Sequence, residues 1–142
     1  MANEITVTAA HVAPVYRGMC EIFPGVMSVA VTKGQALYQT TAGTMALADA
    51  SASPSTQVIG IALEAKNAGE VVSILKKGWL TGFTLGTYED YVYLSDTAGA
   101  LSTVVGTVHV TVGKVMCLAD RDLTEVLYFE AQPNRSWGSG EE

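Results

Sequence analysis

Three segments of this chain occur twice, in the same order and at nearly the same separation. Leu37-Tyr38-Gln39-Thr40-Thr41-Ala42-Gly43 resembles Tyr93-Leu94-Ser95-Asp96-Thr97-Ala98-Gly99 at an offset of 56 (93 − 37). Val58-Ile59-Gly60-Ile61-Ala62-Leu63 resembles Thr111-Val112-Gly113-Lys114-Val115-Met116 at 53 (113 − 60), and Glu70-Val71-Val72-Ser73-Ile74 resembles Glu125-Val126-Leu127-Tyr128-Phe129 at 55 (125 − 70). Each copy reads as strand, Thr-Ala-Gly turn, strand, variable loop, glycine-centred strand, turn, strand. The drift in offset is what small loop insertions give. The alternative is chance likeness among common strand and turn residues, but three matches in order favour duplication. The expected architecture is all-β: a small β-barrel or sandwich-like domain built from two similar β units.

Local signals agree. Short runs rich in β-branched and aromatic residues predict strands at about 27–31, 36–40, 45–47, 57–64, 70–75, 78–83, 91–94, 100–103, 107–118 and 124–131. Asn67-Ala68-Gly69, Thr41-Ala42-Gly43 and Thr97-Ala98-Gly99 mark turns,. No long stretch has a period of 3.6 residues, so little helix is expected. A length of 142 residues suits one domain with a real core, and 49% hydrophobic against 15% charged residues argues for a folded chain,. Three zones follow: an extended N-terminal arm (1–30), the duplicated body (31–132) and a flexible tail (133–142).

The arm carries Val12, Val15, Tyr16, Met19, Ile22 and Phe23 without a clean period, and Pro14 and Pro24 argue against central strands,. Apolar groups outside the repeated units have less core to join. Val12, Pro14, Val15, Tyr16, Ile22 and Phe23 are therefore candidate partner contacts. A second candidate is aromatic. Trp79, Phe83, Tyr88, Tyr91 and Tyr93 fall close together, and alternation puts Trp79, Thr81 and Phe83 on one face,. A barrel core claims most such rings. Trp79, Tyr88 and Tyr91 are the candidates for a surface patch, since Trp and Tyr combine a large apolar area with a polar tip.

Motifs that carry reactive chemistry are scarce. His11 and Cys20, and His109 and Cys117, are too widely spaced for the close ligand pairs of zinc sites,. Cys20 and Cys117 sit in apolar stretches and read as buried free thiols. Glu89-Asp90 and Asp120-Arg121-Asp122 read as charged loops, and Gly82-x-x-x-Gly86 lacks the Gly-Lys-Ser/Thr of a phosphate loop,. Gly138-Ser139-Gly140 and Asn134-Arg135-Ser136 lie in the tail. No enzyme activity, metal or cofactor is expected. The net charge is −6 and the eight Lys and Arg are scattered, which argues against nucleic acid,. No apolar run has the length of a membrane span, and the start lacks the pattern of a signal peptide.

The stretch from Gly34 to Leu75 resembles the small capsid decoration, or cement, proteins of tailed phages. It reads Gly-Gln-Ala-Leu-Tyr-Gln-Thr-Thr-Ala-Gly, an Ala/Asp/Ser loop, Val-Ile-Gly-Ile-Ala-Leu, an Asn-Ala-Gly-Glu turn, then Val-Val-Ser-Ile-Leu. Val92-Tyr93-Leu94-Ser95 and Gly113-Lys114-Val115 resemble the second half of those proteins, and Thr6-Val7-Thr8-Ala9-Ala10 with Val12 and Pro14 resembles the preceding arm. The resemblance covers most of residues 5–131, and its motifs are structural. It implies a β-barrel-like fold, a homotrimer or other small oligomer, and binding to the major capsid protein on the outer surface of the mature head. The protein would then be made in the host cytoplasm and reside in the virion. The competing expectation is a carbohydrate- or host-surface-binding β module, motivated by the aromatic cluster.

Overall fold

The alternating apolar runs do form strands, and the fold is all-β. The structure, a computed structural model, describes residues 5–51, 55–85, 88, 90–117 and 125–130. The strands are β1 (Thr6–Val7), β2 (Ala13–Val15), β3 (Glu21–Val26), β4 (Ala36–Gln39), β5 (Met45–Leu47), β6 (Val58–Ala62), β7 (Val71–Thr81), β8 (Phe83–Thr84), β9 (Tyr91–Leu94), β10 (Leu101–Ser102), β11 (Thr111–Cys117) and β12 (Glu125–Glu130). One sheet runs β10-β9-β11-β12-β7-β6-β4-β5 and curls into a half-barrel. The expected tail, 133–142, lies outside the described residues.

The two units share one hydrogen-bonding pattern. β4-β5-β6-β7 and β9-β10-β11-β12 have the same connectivity and the same neighbours, and meet where β7 pairs with β12. Ala36 faces Ile61, which faces Leu75, and the matching ladder is Tyr91, Lys114, Tyr128. Both copies bulge at the same place. Tyr38 pairs with Val58 and skips Ile59, and Tyr93 pairs with Thr111 and skips Val112. The residue after each bulge is glycine for a steric reason. A Cβ at Gly60 would lie 2.6 Å from the Leu75 carbonyl oxygen, and one at Gly113 would run into that of Tyr128. The ladder also corrects the first and last offsets: Tyr38 and Tyr93 are equivalent at 55 (93 − 38), whereas sequence matching gives 56. Leu75 and Tyr128 are equivalent at 53 (128 − 75), whereas sequence matching of this strand gives 55.

Two predicted strands, 70–75 and 78–83, are one. β7 is continuous through Lys76-Lys77-Gly78, but it changes phase there. Ile22 pairs with Leu75 and Glu21 with Lys77, so Lys76 is an extra residue in the ladder. Val72 and Ile74 point into one core and Leu75, by ordinary alternation, into the other; the extra residue then puts Leu80 on the side of Leu75 and not of Ile74. Such bulges bend and twist a strand. Phe83 does not share the Trp79 face. Gly82, at φ +96 and pressed on the Val12 backbone, breaks the alternation and turns Phe83 inward, 8% exposed,.

The arm is not a free extension. β2 and β3 both pair with β7, β1 pairs with β8, and Ile5 and Val12 belong to the main core. Prolines 14 and 24 are tolerated because these strands lie at the margin of the sheet, where a missing N–H costs no ladder bond. The predicted strand 27–31 is reduced to two isolated bridges, Met27 to Met45 and Val31 to Lys66. With Phe23, Met27 and Val31 cover Leu37, Ala62, Val72 and Ile74, a second core on the other face of the first unit. Backbone bonds then tie the turn at Gly99 to Ala36 (3.0 Å) and Ala48 (2.7 Å), and Ala50 donates to Ser95 (2.8 Å).

Two predictions follow from this packing. Gly113→Ala should lower stability by about 1–3 kcal/mol, whereas Gly18→Ala, with open space around it, should shift the urea midpoint little; equal midpoints would refute the steric account. Asp49 beside the Ala48–Ala50 segment supplies the second. Partial burial alone would raise its carboxyl pKa, but donation from the Ser51 hydroxyl and N–H and the Ser55 hydroxyl outweighs that and holds it below the usual 3.8. A depressed folded pKa stabilises above the unfolded value, and that stability is lost as pH falls through the folded pKa. Asp49→Asn should therefore make unfolding less pH-dependent below the usual carboxylate range, measured by thermal melts from neutral to acid pH.

Candidate functional site

On a filled sheet, outward side chains in register across neighbouring strands form rows. Here one row crosses five strands. Tyr91 on β9 faces Lys114 on β11, Lys114 faces Tyr128 on β12, Tyr128 faces Trp79 on β7, and Trp79 faces Val15 on β2. The alternating residues Val92, Val115, Leu127 and Leu80 are buried, which fixes the row as outward. Four strand spacings make it roughly 19 Å long.

The rings touch. Trp79 and Tyr128 lie 5.2 Å apart between centroids, and Tyr16 meets Trp79 edge-on at 5.6 Å. Lys114 Nζ stands 5.7 Å over the Tyr91 ring. Tyr16 has φ 55, a left-handed conformation that costs a tyrosine energy and that the surrounding structure holds in place,. The Tyr128 hydroxyl donates to Glu130 Oε1 at 3.1 Å. Partial burial, that bond and the nearby Glu130 and Glu21 charges all raise the phenol pKa. Beside the row, Tyr93 meets His109 edge-on at 5.5 Å. A depression of about 230 Å³ opens between Tyr91, Lys114, Tyr128 and Glu130, with Gly113 also lining it.

A second surface lies along β3. Ile22, Phe23 and Val26 wall a groove of about 830 Å³, with Met45 and Ile59 opposite and Lys76 also lining it. Lys76 lies 3.8 Å from Glu21. Ile22 and Val26 on its wall are exposed, and so is Val71, the register partner of Val26.

The sequence candidates divide between these surfaces and the core. Val12 is corrected: it is 3% exposed in the main core and offers no side chain to a partner. Pro14 and Val15 are half-buried in β2, and Phe23 is half-buried against the second core. Tyr16 and Ile22 are exposed. Trp79 and Tyr91 do share one face, and Tyr16 joins them from the arm. Tyr88 is exposed but lies outside the strands that make the row. Tyr128 and Lys114 were missed, although alternation with Leu127 and Phe129 placed Tyr128 outward. Neither thiol is fully buried. Cys20 is half-buried, donating to the Val15 carbonyl at 3.2 Å, and Cys117 is exposed at the end of β11.

Among the described residues no three His, Cys, Asp or Glu side chains gather to hold a metal, and no helix is long and apolar enough to cross a membrane. Glu89, Asp120, Asp122, Gly86 and the tail motifs lie outside the described residues. Comparison of the chain with protein-family models, curated proteins and solved structures finds no match.

The ring contact makes a measurable prediction. A double-mutant cycle on Trp79→Ala and Tyr128→Ala should give a coupling of about 0.5–1.5 kcal/mol. Additive effects would show that the rings share a face without interacting.

Proposed function

We propose that this chain is a structural capsid decoration protein. It binds the outer surface of a mature tailed-phage head and bridges neighbouring major capsid protein subunits. The observation that carries this reading is the concentration of exposed apolar side chains in one short stretch. Met19, Ile22, Val26 and Val29 are all exposed, Met19 at 67%, although the chain has two cores in which such groups could be buried. Apolar surface grouped in this way marks a contact site. It also flanks a groove formed by β3, a marginal strand.

The mechanism is additive. Each partner face of a specific contact buries roughly 800 Å², so removing a subunit from a decorated lattice requires that area to be exposed as well. Assembly as a homotrimer would place several grooves on one lattice, and binding through several sites raises the total affinity without new contacts. In this reading the protein is made in the host cytoplasm and ends in the virion. The resemblance in the Gly34 to Leu75 region supports the same assignment.

Because Ile5 and Val12 are core residues, deleting the arm would unfold the protein and test nothing. The test uses point variants. Wild-type protein should co-sediment saturably with expanded, decoration-free heads and not with unexpanded ones. Ile22→Asp and Val26→Asp should each weaken binding by roughly tenfold or more, about 1.4 kcal/mol, with circular dichroism and melting unchanged. Failure of the wild type to bind either head form would remove the proposal.

A further inference from the structure

The two β units present unlike faces to the main core. In the first unit the row Ala36, Ile61, Leu75 is fully buried there. The equivalent row of the second unit, Tyr91, Lys114, Tyr128, faces outward, and it is the opposite face of that unit (Val92, Val115, Leu127) that enters the core. The second unit therefore ends the stack with a face whose counterpart is apolar. An end face that only meets water is built from charged and polar side chains. This one keeps rings, and Trp79 and Tyr16 extend them beyond the unit.

We propose that this row is a binding platform for a neutral oligosaccharide. The argument is chemical. A sugar ring offers an apolar C–H face and a rim of hydroxyls that both donate and accept. The platform matches both, with rings at Tyr91, Tyr128 and Trp79, a donor in Lys114 and an acceptor in Glu130. An aliphatic partner would strip water from the Lys114 ammonium without offering it a hydrogen bond, and would offer none to the Glu130 carboxylate beyond those it has from Tyr128 and Lys77, which costs free energy. The charges on the row oppose one another, and the chain as a whole carries −6, so a polyanionic glycan is disfavoured and a neutral one is not. Tyr91 and Tyr128 stand two strands apart, about 10 Å, which fits two linked pyranose rings with one seated in the depression beside Gly113. The platform adjoins the bulge-distal half of β7, whereas the β3 groove lies along the other half. The protein can thus hold a capsid through one end of β7 and a glycan through the other, and the glycan site does not depend on the capsid reading.

Calorimetry of the free protein against cellohexaose, mannohexaose and chitohexaose, with tryptophan fluorescence in parallel, tests the proposal. At least one should bind saturably and perturb the Trp79 emission. Tyr91→Ala, an exposed position that should not affect folding, should weaken that binding roughly tenfold. Ile22→Asp should leave it unchanged. No saturable binding of any of the three at millimolar concentration would overturn the proposal. So would binding that survives Tyr91→Ala, or a Tyr91→Ala variant that loses binding to heads instead.

Discussion

The bulge at Lys76 in β7 is the constraint on which the other features depend. In a regular strand of eleven residues Val72, Ile74 and Leu80 would all share one face. β7 instead gives Val72 and Ile74 to the second core and Leu75 and Leu80 to the main core. The glycine two residues later belongs to the same device. Gly78 has φ +153, and a Cβ there would sit 2.5 Å from the Cys20 sulfur. Its hydrogen bonds are shared with four strands: β3 and β6 along its first half, β2 and β12 along its second. A strand so fully paired is costly to distort, because each lost ladder bond leaves buried donors and acceptors unsatisfied.

The phase change explains why a duplicated chain yields an asymmetric protein. Both units keep the same ladder, the same bulge before the same glycine, and the same connectivity. They are joined with opposite faces toward the main core. The first unit is consequently buried on both sides, by the second unit on one and by the arm on the other. Among the described residues, the second unit is buried on one side only. That difference produces the two candidate surfaces. The arm, in covering the first unit, leaves Ile22 and Val26 protruding beside a groove, and the outward face of the second unit carries the aromatic row.

Local sequence was a good guide to strands inside the repeat and a poor one at its margins. The runs at 36–40, 45–47, 91–94 and 124–131 were placed within a residue or two, because alternation and turn glycines act over short distances. Pro14 and Pro24 concealed β2 and β3, since proline excludes a central strand but not a marginal one. The predicted strands 70–75 and 78–83 are one strand with a bulge between them, because the partners that keep β7 extended there, Glu21 and Glu130, are remote in sequence. Val12 was assigned to a partner because no local pattern reveals that the Gly82 bend brings the arm onto the core.

The sequence by itself determined that the chain is all-β, that it is built from two related units and where most of their strands lie. These properties are encoded within a few residues, by side-chain alternation, β-branching and glycine at tight turns. Only the tertiary structure decided which way each strand faces. The aromatic row joins positions 16, 79, 91, 114 and 128, and no spacing along the chain connects them. They meet because antiparallel register places their Cα atoms side by side, and they point outward because a single extra residue in β7 reverses the face that follows it.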